Sequence, residues 1–434
     1  VAAELDGRDT SEIRARWLAA GGPQKAVVSG ATPRPATPEL RRIARDLLAA
    51  IDDLPDPVEL VEAEPDGIGE IISAATGRKT LQEVDAVDLA DRVLGGWLGR
   101  ASGCLLGKPV EKISLEGIRE IARSTGNWPI ASYFTEAGLD QEVALRFPWN
   151  RRSRPTSLVE NIDGMPEDDD LNFPLIALTL LEDRGAEITT DDVAKAWLDS
   201  LPGGRVFTAE RIVYRNLLDG YEPDEAGRIR NPFRDWIGAQ IRTDVYGWAN
   251  PGEPLAAARL AWSDGRLSHG RNGLYGAMFA AAACSAAVVA SSAAEVLEAG
   301  LSVVPAGSRY AAAIRRGVEL ASSDLDDVTA IDALHAEFGQ LHWVHVLNNS
   351  ALLAFAVTRG DGDFARSITL AVSGGWDTDS VGATVGSITG ALTGAAALPP
   401  RWIDPLRDSL ATSVPGFDHA RFSELAARTL AVTR

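Results

Sequence analysis

A chain of 434 residues, 45% of them apolar, can bury an extensive core as one large domain or two. Its formal net charge of -19 at pH 7 excludes broad contact with nucleic acid, whose backbone is met by lysine and arginine surfaces. The only cysteines, Cys104 and Cys284, lie in small-apolar helical segments and read as buried free thiols in a reducing compartment, not as a disulfide. No charged-then-apolar stretch opens the chain, so a soluble cytoplasmic protein is expected.

Residues 1–85 read as a separable N-terminal helical extension to which no chemistry is assigned. Helical pattern covers Ser11 to Ala20, a Pro/Gly/Thr-rich break spans 30–38, and a strong amphipathic helix covers Pro38 to Asp52. Leu54-Pro55-Asp56-Pro57 then reads as a turn or linker. From about Asp88 on, Ala/Leu-rich helical periodicity dominates and β-branched alternation is scarce, which predicts an all-α orthogonal helical bundle over 86–434.

Gly95 to Gly107 is a small-residue helix ending in the break Gly107-Lys108-Pro109, with Glu111 just beyond it. The stretch 112–160 is rich in Trp, Pro, Asn and Arg and lacks clean periodicity. A long irregular connection in a compact domain is often functional, so 113–160 is expected to be a lid or insertion. Arg151, Arg152 and Arg154 within it read as a phosphate contact or as a solvated basic loop.

Glu167-Asp168-Asp169-Asp170 runs straight into an apolar segment with Leu171, Leu175 and Leu178 on one helical face. The acids therefore occupy a helix start, where carboxylates are favoured. His269, Asn272 and Tyr275 sit at a loop-to-helix junction ahead of the small-apolar run 276–290. His342-Trp343-Val344-His345 leads into another Ala/Leu helix that carries Asn349. Such junctions place polar groups within reach of a ligand, though capping or bracing the following helix is an equal reading for each histidine. Two histidines three residues apart do not make a zinc site, because no His/Cys set completes four ligands.

Gly374-Gly375-Trp376-Asp377-Thr378-Asp379-Ser380 closes the series. Two carboxylates and a hydroxyl precede a small-residue helix with Gly382, Gly386, Gly390 and Gly394 at four-residue spacing. Four residues is about one helical turn, so the glycines share a face that admits another backbone at close range. The runs 276–290 and 381–398 are built from Ala, Gly, Ser and Thr and read as buried core helices, not membrane spans.

Glu111 after a small-residue helix, then an acid triplet, then Gly-Trp-Asp-Thr-Asp-Ser before a Gly/Ala helix resembles the ADP-ribosylglycohydrolase family. That family includes the dinitrogenase-reductase-activating glycohydrolase. The resemblance runs from about Asp91 to the C-terminus, and the family's fold agrees with the all-α bundle. Its Thr-Asp-Asp motif falls on Asp168, Asp169 and Asp170, so a carboxylate stands where the family has Thr. Its late Gly-Asp-x-Asp-Thr motif falls on Asp377, Asp379 and Ser380, with Ser in place of Thr.

The resemblance implies that Asp168, Asp169, Asp170, Asp377, Asp379 and Ser380 hold two divalent cations, magnesium or manganese. An all-oxygen set suits these ions and disfavours zinc and copper. The extra acid at 168 makes the predicted site more negative than the family pattern. Gly374, Gly375, Trp376, His269, Asn272, Tyr275, His345 and Asn349 are the candidate substrate contacts.

The expected reaction is hydrolysis of a ribosyl glycosidic bond through an oxocarbenium-like state, with Glu111 and Asp169 as the catalytic carboxylates. The expected substrate is an ADP-ribosylated protein of the arginine type. Two alternatives stand beside it: a small nucleoside- or nucleotide-like N-riboside, and a catalytically silent relative that binds ADP-ribose.

Overall fold

Two glycine ladders, one near the start and one near the end of the helical bundle, set the architecture. The computed structural model describes residues 2–24, 35–77, 81 and 85–433. Among them, the Ala86–Gly107 helix packs antiparallel on the Thr378–Thr393 helix in the most extensive helix pair of the molecule. Gly95 faces Gly390, Gly99 faces Gly386, and Gly103 faces Gly382. A Cβ at any of these positions would overlap a backbone carbonyl of the opposite helix, so the contact requires hydrogen side chains on both partners. The ladder read in 382–394 is therefore one half of a pair, and its spacing is repeated by Gly95, Gly99, Gly103 and Gly107.

This contact decides where the chemistry lies. Gly107 abuts the backbone of Thr378 and Asp379, so the end of the first helix, with Glu111 beyond it, meets the start of the second. Gly386→Ala is expected to destabilise the protein by about 1–3 kcal/mol, the usual cost of overpacking a filled core. Chemical denaturation should show a lower midpoint at unchanged slope; an unchanged midpoint would mean the helices separate freely.

The Arg271–Ala287 helix runs through the centre, and all 17 of its residues are buried. It packs against Pro254–Gly265, Ala293–Leu301, Val346–Gly360 and Thr378–Thr393. Its Ala-rich sequence suits that position, since small side chains let several helices approach at once. Strand-like pairing among the described residues is confined to isolated bridges such as Trp236 with His345. The all-α expectation holds.

Several helices begin where the sequence predicts. Pro38–Asp52 is helical over the predicted span, with Thr37 capping it through Leu40 N at 3.2 Å. The part of the predicted 30–38 break covering 30–34 lies outside the described residues. The runs read as 276–290 and 381–398 end earlier, at Ala287 and Thr393, the second because Gly394 leaves the helix at φ +82°. Within 113–160 the structure contains a helix the sequence reading lacks, Leu115–Ser124, capped by Ser114 and burying Ile118, Ile121 and Ala122. Its three-to-four-residue apolar spacing is short and hidden beside irregular chain, which is why it escapes notice. No helix among the described residues is long and apolar enough to cross a membrane.

The N-terminal region is pinned to the bundle by charge. Asp6 meets Arg309 Nη2 at 2.8 Å and Arg271 Nη1 at 3.3 Å, and Asp56 pairs with Arg271. Glu64 is 2% exposed and accepts from Arg309 Nη2 at 2.7 Å and Asn272 Nδ2 at 2.8 Å. Burial disfavours its charge, yet the Arg309 guanidinium outweighs this and holds the carboxyl below its usual range. These pairings span two to three hundred residues of chain, so no local pattern announces them.

Candidate metal centre

Three chain segments deliver carboxylates to one place. The first is the Lys108–Val110 turn that ends the Ala86–Gly107 helix and presents Glu111. The second is the start of the Asp169–Arg184 helix, and the third is the loop before Thr378–Thr393. Ligand oxygens of Glu111, Asp377 and Asp379 all lie within 4.8 Å of one another. Asp170, Asp377, Asp379 and Ser380 are buried, at 1%, 6%, 7% and 6% exposure. Ser380 Oγ donates to Asp170 Oδ2 at 3.2 Å and joins the second and third segments.

The third segment is aimed by strained backbone. Gly375 and Trp376 both adopt left-handed conformations, φ +75° and +60°. For a bulky tryptophan this is costly, and it persists only where the surroundings over-determine it. They do here: the Trp376 ring stacks on His335 with centroids 4.1 Å apart, and His335 Nε2 donates to Gly374 O at 2.7 Å. Asn349 Oδ1 accepts from Asp377 N at 3.1 Å, while Asn349 Nδ2 donates to the carbonyls of Trp343 and His345. The result is a rigid loop that turns the Asp377 carboxylate inward. Asp377 holds the helix N-cap position but makes no side-chain capping bond.

Asp168 behaves differently at the equivalent position of its own helix. Its Oδ1 accepts from Asp170 N at 2.9 Å, and its Oδ2 is paired with Lys108 Nζ. Asp168, expected to make the site more negative, is thus matched by a buried lysine. Arg100, fully buried, donates to Asp170 O at 2.6 Å and Oδ1 at 3.3 Å and pairs with Asp244. Glu111 is flanked by Lys112 Nζ at 2.8 Å and by the Asn150 amide. Around the centre, including Asp244, seven carboxylates meet three cationic side chains among the described residues.

That imbalance shows in the protonation of the acids. Burial and then the neighbouring carboxylates push Asp169, Asp170 and Asp377 well above the usual range. Asp379 is raised to about 7, by burial first and then by Glu111 and Asp168. Hard oxygen donors from three segments, held close together without enough cations, fit a site for divalent oxygen-seeking ions.

A family model for ADP-ribosylglycohydrolase matches residues 85–434. The chain belongs to the ADP-ribosylglycohydrolase family. An uncharacterized protein of Archaeoglobus fulgidus is 28% identical over 319 residues, which is 72% of this chain and 90% of that relative. Among solved structures, an ADP-ribosylglycohydrolase-related protein complex aligns at 22% identity with a TM-score of 0.45, over 80% of this chain and 98% of that one. Family membership points to hydrolysis of a glycosidic bond.

His269, Asn272, Tyr275 and His345 bond to partners outside the acidic cluster. Asn272 Nδ2 and Oδ1 serve Glu64 and Tyr310 N, and Tyr275 Oη donates to Pro65 O at 2.5 Å, so both help to hold the N-terminal region. His269 is buried among Ser268, Glu210 and Arg242, and burial, then Arg242, keeps it neutral. His345 caps its own helix by accepting from Leu347 N at 3.2 Å. These are bracing arrangements, as is that of Asn349. Arg154 is tied to Glu136 at 3.0 Å on an exposed surface. Sequence reasoning missed Lys108, Lys112, Asn150, Arg100 and His335. Lys108 lay inside a motif it used but was read only as part of a helix break.

Proposed function

We propose that this chain is a metal-dependent hydrolase that releases ADP-ribose from an arginine-type ADP-ribosylated substrate. The observation that supports the reading is the convergence of Glu111, Asp377 and Asp379 on one point beside Asp169 and Asp170. Four carboxylate charges are left without a matching side chain there, and a pair of magnesium or manganese ions would carry the balancing charge. Asp169, Asp170, Asp377, Asp379 and Ser380 would hold them. Bound there, the ions would orient the ribose hydroxyls and lower the pKa of an attacking water.

The protein's own groups do the rest. Glu111, steadied by Lys112 and Asn150, takes the proton of the water as it attacks the anomeric carbon and the bond to the guanidine nitrogen breaks. Asp169 is the second carboxylate at hand, with no cationic side chain bonded to it among the described residues. Once bound cations hold it in the ionised form, its negative charge would favour the positive charge that develops on the ribose ring. Retention of every motif carboxylate argues against a silent binding protein.

One observation favours a smaller substrate as the second reading. Asn150, from the 113–160 segment, bonds Glu111 directly, so a lid formed by this segment would narrow the approach to the base. The deciding experiment is a turnover screen with and without chelator, with products resolved by mass. It offers ADP-ribosyl-arginine protein, ADP-ribose esters and a nucleoside panel. Chelator-sensitive release of free ADP-ribose is expected. Release of a free base alone would assign the second reading, and no turnover of any member would remove both.

A further inference from the structure

Lys108 is 6% exposed, and no step of the hydrolysis proposed above uses it. The Lys108–Val110 turn sends its two ends to different parts of the centre. Glu111 goes to Asp377 and Asp379, while Lys108 reaches the start of the Asp169–Arg184 helix. There its ammonium pairs with Asp168 Oδ2 and lies 3.3 Å from Glu167 O.

Both oxygens of Asp168 are therefore engaged, one by the helix cap and one by Lys108. Asp377 occupies the same cap position in the other acidic segment and has neither engagement. One local motif, an aspartate at a helix N-cap, is put to opposite uses. Cys104, Asp168 and Asp170 bring ligand atoms within 4.8 Å of one another, a spacing that suits an ion. The Lys108 ammonium already stands on the Asp168 side of that triangle, and two cations side by side in a water-poor site repel strongly.

We propose that Lys108 is a positioning residue that acts as a resident cation, withdrawing Asp168 from the metal ligand set and keeping divalent ions off the Cys104–Asp168 side of the centre. The pair also ties the helix that carries Asp169 and Asp170 to the turn that carries Glu111, which keeps the two acid groups in register. This inference rests on the metal reading of the centre, and its test separates the two.

The measurement is direct titration of the full chain with Mn2+, without substrate, with affinity and stoichiometry read by the paramagnetic resonance of free ion. Lys108→Met leaves Asp168 uncompensated and is expected to tighten Mn2+ binding about tenfold, and Asp168→Asn leaves Lys108 uncompensated and is expected to weaken it about tenfold at unchanged stoichiometry. The double variant restores neutrality and should return to within about threefold of the parent, because the two changes cancel as a coupled pair. Lys108→Arg should resemble the parent. A merely structural role would not give single variants of opposite sign.

If the double variant loses Mn2+ as Asp379→Ala does, Asp168 is a ligand and the proposal is overturned. Weaker binding by Lys108→Met overturns it as well. Should Lys108→Met fail to fold, Asp168→Asn decides alone: loss of an equivalent of Mn2+ sinks the idea, and retained stoichiometry upholds it. Parent-like Mn2+ binding by Asp379→Ala would instead remove the metal reading itself.

Discussion

Asp379→Ala is expected to lose divalent-metal binding and hydrolysis together, with metal affinity falling at least ~100-fold, at or beyond the upper end of what supporting residues around a metal cost. Asp379 is 7% exposed, sits between Asp377 and Ser380, and shares the centre with Glu111. Calorimetric titration with Mg2+ or Mn2+ checks the first part and product release the second. Full activity in this variant after chelation would end the metal mechanism.

The same residue ties stability to pH. Its folded pKa of about 7 lies above the ordinary aspartate value of 3.8. Between those values the folded state holds a proton that the unfolded chain gives up, so the metal-free protein loses stability as pH rises from about 4 to about 7. Proton and metal compete for the one carboxylate. The melting-temperature gain on adding metal should therefore grow across that window. Asp379→Ala should lose this part of the slope. A metal-induced gain that is flat from pH 5 to 8 would contradict the assignment.

Glu111→Gln is expected to lower kcat by ~10²–10⁴-fold, the usual worth of a positioned general base, while Mn2+ binding stays within about tenfold of the parent. Glutamine keeps the shape of Glu111 and its bond to Asn150, since an amide can reorient to offer its oxygen, but it cannot take a proton at neutral pH. Single-turnover rates with Mn2+ titrations on the same preparation distinguish the outcomes. Equal loss of metal and rate would make Glu111 chiefly a ligand, and an unchanged kcat would pass the base to Asp169.

Much of this site was legible from residue order. Two acid groups stand at helix starts, where carboxylates are favoured, and the helices begin at Asp169 and Thr378, the second three residues ahead of the predicted run. The glycine spacing after Ser380 announced a close helix contact because a one-turn repeat puts every member on one face. The use of each acid was not legible. Asp168 and Asp377 look alike in sequence, yet one is capped and ion-paired while the other is turned inward by a strained tryptophan and an asparagine brace.

Local pattern thus settled the all-α class, the helix starts and the family, since each depends on residues a turn or two apart. Tertiary structure alone decided which carboxylates share a point, which of them meet a cation, and that Asn272 and Tyr275 hold the N-terminal region. Asn150 on Glu111, Lys108 on Asp168 and Glu64 on Arg309 join residues 39, 60 and 245 positions apart. A charged side chain meets its partner through space, and spacing along the chain carries no record of that meeting.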